Sequence, residues 1–109
     1  MTYLQQSFAI TIPENDITKF CQRWKVEQFY LFGSVLRDDF TEDSDIDVMI
    51  QFFSDARIGW DIVVMEEELE AIFNRPVDLT TKQGIEESDN WLRQSNILDS
   101  AKLIYEQKK

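Results

Sequence analysis

Histidine is missing altogether from these 109 residues, cysteine occurs once, proline twice and glycine three times, and 11 basic residues stand against 21 acidic ones. Without histidine there is no Ser-His-Asp triad, no Cys-His pair and no imidazole metal ligand, which removes most hydrolase and zinc-enzyme templates. A lone Cys21 cannot form an internal disulfide, so a reducing cytoplasm is the expected location. Any metal must be held by oxygen ligands, which favours a hard cation such as Mg²⁺ over zinc. With glycines only at 33, 59 and 84, there is no Walker A loop and no GxGxxG element. Met1 to Ile10 lacks the basic and apolar regions of a secretory leader, and no later run approaches the roughly 20 apolar residues that span a bilayer. The shortage of Lys and Arg leaves a formal charge of −10, which argues against stable direct binding of nucleic acid, since counterion release needs a basic face.

What is present supports a packed fold. The chain is 43% apolar and 13% aromatic, so the charge does not imply disorder. A length of this order suits one domain, here residues 1–109, burying roughly 60 to 70% of its unfolded surface. No repeat, low-complexity tract or linker divides it.

The periodicities give an order of elements. Thr11, Pro13 and Glu14 have capping-box spacing, and Ile17, Phe20, Cys21 and Trp24 follow at i, i+3, i+4, i+7, which predicts an amphipathic helix with Cys21 on its apolar face. Phe29 to Phe32 reads as a buried strand ended by Gly33-Ser34, and Arg37 to Ser44 as a polar loop. Asp45 to Phe52 alternates Asp45, Asp47, Met49 and Gln51 against Ile46, Val48, Ile50 and Phe52, the period-2 pattern of a strand with one apolar face. A second helix is expected from about Trp60 to Phe73, with its run of glutamates, Glu66, Glu67, Glu68 and Glu70, read as a solvated face. Asn74-Arg75-Pro76 breaks it, Val77 to Thr80 reads as a short strand, and the segment from Trp91 to Glu106 as a helix followed by a short strand. This order predicts an α+β, two-layer domain: a small mixed β-sheet with helices packed on one side.

Chemistry concentrates in three places: Gly33-Ser34-Val35-Leu36-Arg37, then Asp43-Ser44-Asp45-Ile46-Asp47-Val48, then Asp78 on the later strand. Asp-x-Asp alone is a weak signal, since about one such spacing is expected by chance in a chain of this size. Its context strengthens it. Two carboxylates on the same side of a hydrophobic strand's start repel one another unless a cation neutralises them. Mg²⁺ is commonly held by one or two carboxylates plus substrate phosphates; Asp45 and Asp47 supply the pair, and Asp78 can add a third ligand, a general base, or both. Two ions held this way would suit an in-line displacement with pyrophosphate as leaving group. Gly33-Ser34 after a strand offers close backbone approach and a hydroxyl for a triphosphate, and Arg37 a planar fork for its oxygens. Each feature also has an ordinary structural explanation: a strand-ending turn, a surface pair of Arg37 with Asp38 or Asp39, an outward-facing strand residue at 78. Asp43 is read as a loop residue.

Taken together, Gly-Ser-x-x-Arg, a short loop, Ser-Asp-Ile-Asp-Val and a distal Val-Asp-Leu resemble the signature of minimal nucleotidyltransferases of the DNA polymerase beta superfamily, across nearly the whole chain. The resemblance implies a polymerase-beta-like nucleotidyltransferase fold and Mg²⁺-dependent transfer of a nucleoside monophosphate from an NTP. It assigns triphosphate binding to Gly33 and Ser34 and metal binding and catalysis to Asp45, Asp47 and Asp78; Arg37 and Ser44 complete the candidate nucleotide-binding set. The chain departs from the family at Leu36-Arg37-Asp38, where Ala-Arg-Gly is common, and it carries no visible module for binding a second substrate.

A stand-alone core of this kind is similar to the antitoxin half of HEPN/MNT toxin-antitoxin pairs. That similarity implies transfer of AMP from ATP to a tyrosine of a cognate HEPN ribonuclease, the toxin itself supplying the acceptor. Two other readings fit the same sequence. One is an antitoxin that blocks the ribonuclease by contact, its acidic surface covering a basic RNA-binding groove. The other is nucleotidyl transfer to a small molecule or to RNA.

Overall fold

The computed structural model describes residues 12–33, 44–54 and 61–107. The elements run α1 (Glu14–Trp24), β1 (Val26–Phe32), β2 (Ile46–Phe52), α2 (Asp61–Phe73), β3 (Val77–Thr81), α3 (Lys82–Glu86), α4 (Trp91–Ser100) and β4 (Lys102–Glu106). The strands form one four-stranded sheet in the order β3-β2-β1-β4. β1 is antiparallel to both β2 and β4, while β2 and β3 are parallel, so the sheet is mixed and the α+β class holds. The parallel pair requires a crossover, and α2 supplies it.

The period-2 pattern of β2 sorts its side chains to two faces. Ile46, Val48 and Ile50 join Phe29 and Leu31 of β1 in the main core, closed by Ile17, Phe20 and Cys21 of α1 and by Met65 and Leu69 of α2. Phe20 meets Phe29 edge to face, with ring centroids 6.2 Å apart. On the other face Met49 and Phe32 join Ile85 of α3 and Ile97 of α4 in a smaller cluster. Helices on one side therefore describes α1 and α2, which cover the main core; α3 and α4 cover part of the opposite face, because Phe32 and Met49 leave apolar surface there to be buried.

Local details refine the expected boundaries. α1 begins at Glu14 with Pro13 as its N-cap and no side-chain cap from that residue; Thr11, from which the capping box was read, lies outside the described residues. The first turn closes through the Ile17 N–H donating to the Pro13 carbonyl at 3.0 Å. Lys25 ends α1 at φ 57° and Asn74 follows α2 at the same value, the left-handed C-terminal stop, which Asn tolerates better than Lys. The short α3, absent from the sequence reading, is started by Thr81, whose hydroxyl accepts from the Gly84 N–H at 3.0 Å. Among the described residues no helix is long and apolar enough to cross a membrane.

The glutamates of α2 are not simply solvated. β3 is an edge strand whose outward N–H groups need partners. Glu70 accepts from the Val77 N–H and Glu66 from the Leu79 N–H, each at 3.1 Å. Glu68 turns toward α1, accepting from the Trp24 indole N–H at 3.2 Å and pairing with Arg23 at 3.0 Å. Glu67 alone of the four is fully on the exposed side. Periodicity could show which side of the helix is polar, but not that a sheet edge lay beside it.

Candidate active site

The β2–β3 register decides the site. Asp47 of β2 pairs directly with Asp78 of β3, and in-register residues of parallel neighbours project to the same face. On the other flank Asp47 pairs with Phe32, the last residue of β1, so Gly33 follows immediately beside it. Gly33 has φ +76°, a left-handed value open to glycine, and a Cβ built there would overlap the Asp47 carboxylate. Glycine is thus needed twice over: for the turn and for the room in which Asp47 sits.

Asp78 is exposed although its neighbours Val77 and Leu79 pack inward, and the Glu70 and Glu66 bonds grip the backbone on either side of it. Those bonds fix the strand that presents the carboxylate. Asp45 precedes β2 by one residue and is exposed, and Ser44 before it is partly buried. Arg75 donates to the Ser44 carbonyl at 3.4 Å, and the Ile46 N–H donates to the Pro76 carbonyl at 2.9 Å, so the breaker segment after α2 also holds the entrance to β2. The sequence reading credited Asn74-Arg75-Pro76 with ending a helix and with nothing more.

Gly33, Asp47 and Asp78 line one cleft of about 470 Å³, a size in the range that encloses a nucleotide-sized ligand. Its other wall is α4 with its N-cap Asn90, the helix contributing Leu92, Arg93, Asn96, Ile97 and Ser100. None of these was singled out from the sequence as a site residue. The available signal was the polar spacing Arg93, Asn96, Ser100, which shares a helix face at i, i+3, i+7, but only the fold tells which face meets the cleft. Asp45 and Ser44 do not line it. Ser34 and Arg37, with Asp38 and Asp43, lie outside the described residues.

The donor chemistry can be tested on these positions. Among the described residues no three acidic or other metal-ligating side chains are close enough to form a ready-made cation site. Asp47 and Asp78 are nevertheless adjacent in register, with oxygen donors only, which fits a hard cation whose remaining ligands come from substrate phosphates and water. Asp45, one residue before β2, is not among the residues that line the cleft.

A mixed sheet bearing paired carboxylates beside a strand-ending glycine, with a helix closing a nucleotide-sized cleft, is the framework of a phosphate-transfer site. Residues 16–104 match the family described as the nucleotidyltransferase domain, and the chain belongs to that family. A Methanocaldococcus jannaschii protein with a provisional name of protein adenylyltransferase is 39% identical over 64 residues, which is 58% of this chain and 64% of that protein. The match therefore spans a little under two thirds of that relative's length. Among solved structures, one described as a toxin-antitoxin with AMP-PNP matches with a TM-score of 0.67 at 22% identity, over 89% of this chain and 76% of the other. Another, a tri-AMPylated Shewanella oneidensis HEPN toxin in complex with MNT antitoxin, matches with a TM-score of 0.59 at 23% identity, over 86% of this chain and 70% of the other. At those identities the two structures establish the likeness of fold.

Proposed function

We propose that this chain is an antitoxin nucleotidyltransferase that uses Mg²⁺ to transfer AMP from ATP to a tyrosine of a cognate HEPN ribonuclease toxin, and so neutralises it. The observation that carries the reading is the Asp47–Asp78 register pair beside Gly33, facing a nucleotide-sized cleft in a chain of the nucleotidyltransferase family. The protein adenylyltransferase name of the relative and the AMP-bearing toxin of the structural neighbour support the acceptor class.

The roles follow from position. Gly33 keeps side-chain bulk away from Asp47, leaving backbone for the triphosphate to approach. Asp45, Asp47 and Asp78 would hold Mg²⁺, which when bound supplies electrostatic stabilisation of charge developing on the phosphates. The acceptor's phenolic oxygen bonds to the α-phosphorus, the bond from that phosphorus to the bridging oxygen breaks, and pyrophosphate leaves with the electron pair. Asp78, exposed on an edge strand, would take the phenolic proton. Ser34, Arg37 and Ser44 complete the proposed nucleotide contacts.

Incubation of the protein with toxin, ATP and Mg²⁺ should raise the toxin's mass by about 329 Da for each AMP transferred. No mass gain with an active toxin sinks the reading. A second reading, neutralisation by contact alone, is supported by the acidic surplus of 21 acidic over 11 basic residues, which suits a basic partner surface. Asp47→Asn and Asp78→Asn separate the two, because neutralisation that survives both substitutions points to contact, and its loss with the complex still forming points to transfer.

A further inference from the structure

The cleft has two walls of opposite character. The sheet side carries Asp47 and Asp78, and the helix side carries Arg93, the one cationic residue among the described residues that line it. We infer that Arg93 is a phosphate-gripping residue of the nucleotide site, so that α4 is a functional wall of the cleft and not only a cover for the sheet. This rests on the nucleotidyltransferase reading above and adds to it a contact that neither the motif residues nor the family match singles out.

Three observations converge on Arg93. First, its backbone is fixed: the Asn90 side chain caps α4 by accepting the Arg93 N–H at 3.0 Å, and Ile97, one turn on, is buried at 8% exposure against Phe32 and Met49. The side chain is therefore launched from a rigid point into the cleft. Second, charge demands it. A nucleoside polyphosphate entering beside two carboxylates meets repulsion that divalent cations relieve only in part, and a guanidinium on the facing wall offers paired N–H donors matched to phosphate oxygens. Third, Arg93 stands in the first turn of α4, the positive end of the helix dipole, which adds to the guanidinium's attraction for an anion. Ser100 donates its hydroxyl proton to the Asn96 carbonyl at 2.7 Å, so on the same helix face the serine oxygen is left as an acceptor and Arg93 is the strong donor.

The test is calorimetric titration of the folded chain with AMP-PNP and Mg²⁺, for the natural protein, Arg93→Ala and Arg93→Lys, at low and at high salt. Arg93 is exposed, so both variants should keep the melting temperature of the natural chain. At low salt the alanine variant should bind about tenfold more weakly and the lysine variant about threefold, because lysine keeps the charge and loses the fork. High salt should narrow the gap between the natural and alanine proteins, as expected for a charge contact at a partly open site. An alanine variant that binds as tightly as the natural protein at low salt, or a gap that salt does not narrow, overturns the role of Arg93 and leaves the function reading standing. If the natural protein itself fails to bind AMP-PNP, both fall together.

Discussion

At the scale of single residues, Gly33 shows most directly how backbone and chemistry are joined. Its φ of +76° and the Asp47 carboxylate in the space of a missing Cβ mean that Gly33→Ala both strains the turn and pushes the acid aside. We expect a stability loss of about 1 to 2 kcal/mol in urea unfolding and a fall in AMP transfer of about 100-fold, because a displaced carboxylate damages the reaction more than the fold. A variant with full transfer activity would refute the placement of Asp47. Cys21 makes a different point. Its thiol is buried, and desolvation pushes its pKa far above the ordinary value, so it should resist alkylation in the folded state. The sign of its effect on stability follows. In the unfolded chain the thiol ionises near its usual pKa and releases a proton the native state retains, so stability falls as pH rises above about 8.5. Between about pH 8.5 and 9.5 the natural chain should lose about 1 kcal/mol more than Cys21→Ala does, read from unfolding curves at the two pH values.

At the scale of elements, the sheet edge and the crossover helix work as one unit. Among the described residues β3, which carries Asp78, has one strand neighbour, and on its other side α2 provides carboxylate acceptors for the outward N–H groups of Val77 and Leu79. The same contacts occupy the edge against pairing with another chain. Replacing both Glu66 and Glu70 with Ala should destabilise the protein by about 2 to 4 kcal/mol and speed amide hydrogen exchange at Val77 and Leu79. Glu67→Ala should change stability by less than about 0.5 kcal/mol, since that side chain only faces water. Equal effects from all three positions would show that the run acts through its charge and not through these bonds. The two strands of the Asp pair were legible in the sequence because alternation over Asp45 to Phe52 and the Val77 to Thr80 run are local signals. The use of α2 as an edge cover was not, because helical periodicity shows a polar stripe in the same way whether it meets water or backbone.

At the scale of the whole molecule, one mixed sheet is covered on one face by α1 and α2 and partly on the other by α3 and α4, and the cleft opens between the sheet end and α4. The chain as a whole carries a formal charge of −10. If the partner is a ribonuclease with a basic groove, association should be steered by that charge, so its rate constant should fall at least tenfold between low and physiological salt while dissociation changes little, as stopped-flow mixing would show. A salt-independent association rate would speak against an acidic face meeting a basic one. The α+β class and the order of the main elements were legible in the chain, and so were the carboxylates proposed for the site, because periodicity, breakers and motif spacing are properties of neighbouring residues. The sequence also excluded histidine-based chemistry by simple absence. It took the folded chain to show that Asp47 and Asp78, 31 positions apart, stand side by side and that α4 brings Arg93 to the cleft. Strand register and helix docking are set by burying apolar faces against distant parts of the chain, and no local pattern records which parts those will be.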